Sequence, residues 1–261
     1  MLEFDLTVPE IAYLFGFLQA DGHLSKEVRN RGRLSVELKV SDEVLLSSFK
    51  DLLPVYSKIS YRTRDTNFKK GCSSVIWSLY DKDVRSTLEV LGLPYGKKSS
   101  LVAPPQVPYS EADYFRGFVD GDGSLGLTGE GFPFLSVSTK SPGWVAAYLA
   151  MIFRLTGKVK RLNPNSRDRI YTPCVYKEDA QAVVSELYYP ECLALTRKFD
   201  SSVRVLSWTR PKSMTRVTWE RRRWSFKEDQ TILNHSIQES TRILNRTERS
   251  VRVRLSRLQR Q

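Results

Sequence analysis

Cysteine is scarce in this chain of 261 residues, which contains three. Cys72, Cys174 and Cys192 are too few and too scattered for a disulfide framework or a tetrahedral zinc site. Their number and spacing argue against a small disulfide-rich secreted domain and against a zinc-stabilised fold. We therefore expect reduced thiols in an intracellular protein.

Long apolar runs are also missing. The longest, residues 144–153, is about half the length that crosses a bilayer. Residues 1–5 are acidic rather than basic, so neither a secretory signal nor a mitochondrial transit peptide is visible. We expect a cytoplasmic protein with no membrane partner.

Positive charge is what the sequence has in excess, with a formal net charge of +12 at pH 7. The charge is uneven, because residues 207–261 hold 14 of the 41 Lys and Arg residues but only 5 of the 29 Asp and Glu residues. A nearly neutral body with a strongly basic C-terminal part indicates a polyanionic partner, whose phosphates this part would bind.

An internal duplication organises the remainder of the chain. LFGFLQADGHL at 14–24 and FRGFVDGDGSL at 115–125 each contain a glycine, an aromatic residue and a terminal Asp-Gly pair. A lysine follows an apolar stretch late in each half, at Lys98 and Lys198. Matches in the same order along both halves predict a duplicated domain rather than chance similarity.

Each copy is predicted to fold as helix, hairpin, helix, hairpin and helix, which gives an α+β fold. Residues 33–40 alternate between polar and apolar, and a second hairpin spans roughly 58–80. Gly22 is expected to end the first helix in the left-handed conformation. The other helices are predicted near residues 42–53, 82–92, 111–120, 142–155 and 178–188. The predicted segments are a first repeat at 1–103, a second at 104–206, a basic linker at 207–223 and a small domain at 224–261.

Small residues spaced four apart give each motif helix a face that another helix can approach closely: Gly16 and Ala20, then Gly117 and Gly121. If these faces pack together, Asp21 and Asp122 meet at two helix C-termini. Two carboxylates at the negative ends of helix dipoles repel each other, and a divalent cation would reverse that interaction. The pair therefore predicts a site for a hard cation such as Mg²⁺, which takes oxygen ligands and activates water.

The two motifs resemble those of the single-chain LAGLIDADG homing endonucleases over about residues 9–206. The resemblance implies two αββαββα repeats that form a saddle on double-stranded DNA, and a monomer that hydrolyses both strands with a staggered cut. It implies catalytic metal ions, Mg²⁺ with Mn²⁺ or Ca²⁺ as substitutes for binding, held at Asp21, Asp122, Gly22 and Gly121. It also places Lys98 and Lys198 near the scissile phosphates of a long, asymmetric site.

Two further expectations follow from the resemblance. A polar residue beside the active site is expected after the second strand of each repeat, and Asp42 and Thr139 lie closest to those positions. Gln19 stands where the family often has an aspartate, which Asp120 supplies in the second motif. Because the metal-binding acid is the later one, we expect Gln19 to leave cleavage intact.

Polar strands and the basic C-terminal part supply the predicted DNA-binding surface, because Arg and Lys read base edges in the major groove. The residues assigned to this surface are Arg29, Arg31, Arg33, Glu37, Lys39, Arg62, Arg64, Lys158, Lys160, Arg167, Arg169, Arg221, Arg222, Arg249, Arg252 and Arg254.

Residues 224–258 resemble a Myb/SANT-like helix-turn-helix module. Ser225 and Glu228 have the spacing of a capping box, and Trp224 with six aliphatic residues would form a small three-helix core. The resemblance implies that the last helix enters the major groove of DNA.

Two other functions remain compatible with the sequence. A transcription regulator with a decayed LAGLIDADG fold would bind DNA without cutting it, although the presence of both aspartates and both lysines favours an enzyme. A group I intron RNA maturase would use the same basic surface on structured RNA. A nuclease built on histidine ligands is disfavoured, because His23 and His235 are the only histidines.

Overall fold

The computed structural model describes residues 4–25, 32–65, 70–158, 162–212, 214 and 223–259. The chain divides into a larger unit, Met1–Arg210, and a smaller one, Pro211–Gln261. No helix in the described ranges is both long and apolar enough to cross a bilayer.

The described residues of the first repeat form three α-helices and one antiparallel sheet of order β1-β2-β4-β3. Both predicted hairpins are present, although most of the turn in each lies outside the described residues. The predicted helices near 42–53 and 82–92 are confirmed within a few residues. The elements are α1 (Pro9–Asp21), β1 (His23–Leu24), β2 (Leu34–Lys39), α2 (Glu43–Leu52), β3 (Ser57–Arg64), β4 (Cys72–Leu79) and α3 (Lys82–Val90).

Polar and apolar residues alternate along β2, which gives this sheet one buried and one polar face. Val36 pairs with Trp77, and both are fully buried beneath Phe49 of α2. Directly paired residues share a face, so Lys39, Ser74 and Arg62 form one row on the opposite face. This outward row is the polar surface that the alternation predicted.

The second repeat follows the same plan with a smaller sheet of order β5-β6-β7. The pairing of β6 with β7 continues only as an isolated bridge between Thr139 and Tyr171, with Pro173, which has no N–H to donate, between the two. The described residues contain no second hairpin like β3–β4, contrary to the prediction, and residues 159–161 lie outside them. The elements are α4 (Glu111–Asp122), β5 (Gly123–Leu127), β6 (Pro133–Val137), α5 (Pro142–Thr156), β7 (Cys174–Tyr176), α6 (Glu178–Leu187) and α7 (Thr196–Leu206).

Helices α1 and α4 pack closely along their lengths and join the two repeats. A β-carbon added at Gly16 would overlap the carbonyl oxygen of Tyr114, and one at Gly117 would overlap that of Tyr13. Only glycine allows the two backbones to come this close. The spacing of small residues in the motifs therefore specifies the helix pair.

Gly22 ends α1, but the predicted left-handed conformation is wrong. Its φ of −70° and ψ of 148° are those of extended backbone, and its N–H donates to the carbonyl oxygen of Leu18 at 3.0 Å. Glycine is needed here for space, because an added β-carbon would lie 2.6 Å from that same oxygen.

The described residues of the smaller unit form three helices, as predicted: α8 (Phe226–Asn234), α9 (Ile237–Leu244) and α10 (Glu248–Leu258). Ile232, Leu244 and Val251 form its core. The predicted capping box of Ser225 and Glu228 is present. Asn245, at φ 48°, ends α9 in the left-handed conformation and leads through a short turn into α10.

Candidate functional site

Asp21 and Asp122 are the last residues of α1 and α4, and the close packing of the two helices brings them together. A β-carbon at Gly121 would lie 2.5 Å from that of Ala20 and 3.6 Å from the carboxyl carbon of Asp21. The structure thus places two carboxylates side by side at a junction that only small residues permit.

The electrostatics of this pair are unfavourable for two charged groups. Burial raises the pKa of Asp122 to about 6, with a further contribution from the charge of Asp21, whereas Lys98 opposes the shift. Burial also raises the pKa of Asp21, against the opposing charges of Lys98, Arg197 and Lys198. Both carboxylates reach solvent, although surrounding protein displaces much of their water. Such a site gains from an added positive charge.

Each predicted lysine binds the C-terminal end of the motif helix in its own repeat. Lys98 Nζ donates to the carbonyl oxygens of Leu18 at 3.0 Å and Gln19 at 2.6 Å, and also to that of Ala20. Lys198 Nζ donates to the carbonyl oxygen of Gly123, which follows α4. A cation is favourable at this negative end of a helix.

Burial lowers the pKa of both lysines. That of Lys98 falls to about 8, because desolvation outweighs the charges of Asp122 and Asp21. That of Lys198 is also lowered, although Asp120, Asp21 and Asp42 act in the opposite direction. Because a pKa of about 8 keeps Lys98 mostly protonated at neutral pH, its positive charge is available to attract an anionic substrate.

Gln19 and Asp120 lie two residues before the paired aspartates and are enclosed between the repeats. They are 2% and 0% exposed, and protein groups hydrogen-bond both of them. Their hydrogen bonds give both residues a role in the packing of the two repeats.

The two polar residues expected beside the site lie in different surroundings. Buried Thr139 lines a cavity of ≈ 180 Å³ together with Asp122, Gln19 and Ala20. Buried Asp42 instead accepts a hydrogen bond from Nε of Arg197 at 3.2 Å. Arg197 was missed in the sequence, where no local pattern marks a residue whose partner lies in the other repeat.

A metal bound here would depend on more than protein side chains. Within the described part of the chain, no group of three or more His, Cys, Asp or Glu side chains is placed to hold an ion. Two carboxylates with open solvent in front of them match a hard cation that keeps water and substrate phosphate as its other ligands.

The DNA-binding residues predicted in the first repeat lie on the exposed face of its sheet. Glu37 accepts from the hydroxyl of Ser74 at 2.6 Å and pairs with Arg64 at 3.4 Å. Lys39 and Arg62 stand in the row beside them. Arg33 is exposed just before β2.

The corresponding residues of the second repeat are also exposed. Lys158 pairs with Asp179 at 2.6 Å, and Arg167 and Arg169 project from a surface loop. Five predicted residues lie outside the described ranges: Arg29, Arg31, Lys160, Arg221 and Arg222.

The three DNA-binding arginines predicted on helix α10 of the smaller unit lie in two different surroundings. Arg249 and Arg252 are exposed, and Arg252 pairs with Glu248 at 2.6 Å one turn earlier. Arg254 instead makes two hydrogen bonds to Asp229, at 2.7 and 2.6 Å, and lies near the Trp224 ring. The structure thus engages Arg254 in holding α8 and α10 together.

Comparison with protein-family models identifies a LAGLIDADG-like domain at residues 9–92, the region that contains α1 and the first sheet. Comparison with curated proteins finds no match.

Solved structures with similarity include the homing endonuclease I-WcaI bound to its DNA recognition sequence, at 14% identity and a TM-score of 0.48, covering 74% of this chain and 87% of that one. The LAGLIDADG homing endonuclease I-GzeII in complex with its DNA target has 14% identity and a TM-score of 0.46, covering 76% and 88%. I-SmaMI bound to an uncleaved DNA target in the presence of calcium ions has 17% identity and a TM-score of 0.41, covering 65% and 80%.

Proposed function

We propose that this protein is a site-specific endonuclease that binds double-stranded DNA and hydrolyses one phosphodiester bond in each strand. The observation that carries the proposal is the meeting of Asp21 and Asp122 at the ends of two helices packed through Gly16 and Gly117. The pseudo-symmetric repeats supply one aspartate and one lysine each, which suits a substrate with two antiparallel strands. A monomer therefore holds both halves of the site.

A divalent cation fits this pair of carboxylates. Burial raises the pKa of both, and Asp21 further raises that of Asp122, so a cation offsets the cost of ionising them together. Asp21 and Asp122 would hold the metal, with backbone oxygens of Gly22 and Gly121 as further candidates. When bound, Mg²⁺ lowers the pKa of a coordinated water and polarises the phosphate. Mn²⁺ or Ca²⁺ would support binding in its place.

Lys98 and Lys198 would stabilise the charge that develops on the scissile phosphates. Each ammonium is held by backbone carbonyls beside one aspartate, so it is oriented before the substrate arrives. A preorganised cation in a partly desolvated site stabilises a transition state more strongly than a mobile one in water. The lysines therefore position and neutralise phosphate rather than ligate metal.

The polar face of the first sheet would contact bases, because it presents Arg62, Arg64, Lys39 and Glu37 on neighbouring strands. Arg and Lys on such a surface read guanine in the major groove, and a glutamate accepts from cytosine. The resemblance of the two motifs to the LAGLIDADG homing endonucleases further implies a long, asymmetric target and a staggered cut.

The smaller unit would add a second DNA contact as a Myb/SANT-like helix-turn-helix module. A short turn through left-handed Asn245 connects α9 to α10, and α10 exposes Arg249 and Arg252. Tethering such a module to an endonuclease raises overall affinity through effective concentration.

The experiment that tests the proposal is cleavage of a DNA library. The library contains the locus at which the gene for this protein would be inserted, in the form without the insertion. Wild-type protein is incubated with Mg²⁺ or with EDTA, beside Asp21→Asn, Asp122→Asn and the double variant. Asp51→Asn, which removes an exposed carboxylate from α2, is the matched control. We expect one metal-dependent cut with wild type and the control, and no double-strand cut with the site variants, which still bind the target.

Other outcomes would contradict the proposed active site or favour a different function. Cleavage by the double variant would contradict the active site. Tight binding to duplex DNA without cleavage under any divalent metal would favour a transcription regulator. Salt-dependent preference for intron RNA over duplex DNA would favour a maturase.

A further inference from the structure

Arg197 links the two repeats beside the aspartate pair. It directly precedes Lys198 in α7, and its Nε lies 3.2 Å from Oδ2 of Asp42, which follows β2 of the first repeat. The Asp42 side chain is only 6% exposed, whereas that of Arg197 is 49% exposed. A buried carboxylate thus anchors one edge of a guanidinium whose other edge remains accessible.

Arg197 lines a groove whose other lining residues belong to the first repeat. This groove, of ≈ 840 Å³, is lined by Arg197 and Asp42 together with Glu37, Lys39 and Arg64 from the polar sheet face. A guanidinium has five N–H donors, and Asp42 is the only hydrogen-bonding partner of the Arg197 side chain in the described part of the chain. Donors therefore remain for a ligand in the groove.

Arg197 lies on the first-repeat side of the aspartate pair. Its side-chain partner Asp42 and the groove residues Glu37, Lys39 and Arg64 all belong to the repeat that supplies Asp21. The geometry therefore associates Arg197 with the Asp21 half of the site.

The pseudo-symmetric position in the first repeat does not supply an equivalent. Lys97 precedes Lys98 as Arg197 precedes Lys198, but Lys97 is exposed and forms no ion pair within the described residues. It has no buried carboxylate to orient it. The two halves of the candidate site are thus unequal in a way that the repeated motifs do not show.

We propose that Arg197, oriented by Asp42, binds a DNA phosphate at the Asp21 half of the site, so that the two strands depend unequally on it for cleavage. The planar guanidinium matches two phosphate oxygens, and an anchored one loses less freedom on binding. This inference rests on the proposed endonuclease function and adds to it a positioning residue specific to one strand.

The test measures the two strands separately. A supercoiled plasmid carrying the target is converted to nicked and linear forms, and end-labelled duplex reports the rate for each strand. Arg197→Ala is expected to slow one strand on the order of 10–100-fold more than the other, with nicked circles accumulating. Arg197→Lys retains the charge and is expected to restore part of the loss. Asp42→Ala, which removes the acceptor that orients Arg197, affects the same strand less. Lys97→Ala is the matched control and leaves the strand ratio unchanged.

Equal slowing of both strands by Arg197→Ala, together with a lower melting temperature, would mean that the ion pair only joins the repeats, and would overturn the inference. Unchanged rates on both strands would overturn it as well. A wild-type protein that binds the target and never cuts it would refute the endonuclease itself, and is recognised before any variant is compared.

Discussion

The hydroxyl of Tyr13 in the first repeat donates a hydrogen bond to the carboxylate of Asp120 in the second, across 2.7 Å. The pseudo-symmetric partner is the hydroxyl of Tyr114, which donates to the side-chain oxygen of Gln19 at 2.5 Å. The two bonds cross the α1–α4 interface in opposite directions. They show that the residue at position 19 takes part in the packing of the two repeats.

The remaining partners decide which residue fits each position. Asp120 also accepts from the hydroxyl of Tyr188 at 2.6 Å and from the backbone N–H of Leu195 at 2.7 Å, so it faces donors only. Gln19 Nε2 donates to the carbonyl oxygens of Gly92 at 2.8 Å and Ala103 at 3.0 Å. An ionised carboxylate at position 19 would face two carbonyl oxygens and could donate a hydrogen bond to neither.

Exchanging these side chains for their near-isosteres should therefore destabilise the protein. Gln19→Glu removes two donated bonds, and Asp120→Asn turns an amide N–H₂ toward a donor, each at about 1–3 kcal/mol. Urea unfolding of both variants beside Asp51→Asn measures the loss. A Gln19→Glu variant as stable as wild type would show that this network contributes nothing at the first motif.

The glycines of the helix interface should tolerate no side chain. Gly117→Ala places a methyl group on the Tyr13 carbonyl oxygen and should lower the free energy of unfolding by at least about 2 kcal/mol, despite the better helix propensity of alanine. Gly129→Ala, in a surface turn with no atom near the added carbon, should change it by less than about 0.5 kcal/mol. Equal melting temperatures for the two variants would contradict the close packing of α1 and α4.

Local patterns in the sequence predicted two of the main features of the fold and missed two others. The spacing of Gly16 with Ala20 and of Gly117 with Gly121 predicted the helix pair, and alternation predicted the polar face of the first sheet. The Gly22 conformation was wrong because the steric demand comes from Leu18, one helical turn earlier. Helix α7 went unpredicted, although it carries Lys198.

Local sequence patterns could not predict contacts between residues that are far apart in the chain. Arg197 finds Asp42 across 155 positions, and the partners of Gln19 at Gly92 and Ala103 lie more than 70 positions away. Arg254 looked like a DNA contact because it lies on a basic helix, yet its carboxylate partner is on α8. Without the tertiary structure, such an arginine cannot be distinguished from a free one.

Stability should depend on pH through Asp122. Its folded-state pKa of about 6 lies above the ordinary 3.8, so the folded state binds the proton more tightly. The stabilisation from this proton is full below pH 4 and is lost as pH rises through 6. In EDTA, the free energy of unfolding of Asp122→Asn relative to that of wild type should therefore rise between pH 4 and 7. The rise should be about 1 kcal/mol once solvent screening is discounted. Urea unfolding at each pH measures the difference, and a difference that stays constant with pH would contradict the raised pKa.

A divalent cation bound by the ionised aspartates should stabilise the folded state. Because a ligand that binds only the folded state stabilises it by mass action, Ca²⁺ at about 100 times its dissociation constant should add about 2.7 kcal/mol to wild type. Asp21→Asn should lose most of this gain, whereas Asp51→Asn should keep it. Thermal melting with and without Ca²⁺ makes the comparison without any cleavage. Equal gains in all three proteins would place the ion elsewhere.

Removal of the smaller unit should weaken DNA binding and leave the chemistry in place. The structure sets the boundary after Arg210, because Arg210 pairs with Glu178 and the carbonyl of Trp208 accepts from Gln181, both within the larger unit. A chain ending at 210 loses 13 of the Lys and Arg residues. Its affinity should therefore fall and respond less steeply to salt.

Cleavage by this truncated chain at saturating protein should proceed at the wild-type rate, since Asp21, Asp122, Lys98 and Lys198 all remain. A chain ending at 206 is the informative comparison, because it also removes the contacts of Trp208 and Arg210 and should melt at a lower temperature. If the chain ending at 210 is folded and binds target DNA but does not cut it, the smaller unit contributes to catalysis itself. The assignment of cleavage to the larger unit and of additional DNA affinity to the smaller unit would then be wrong.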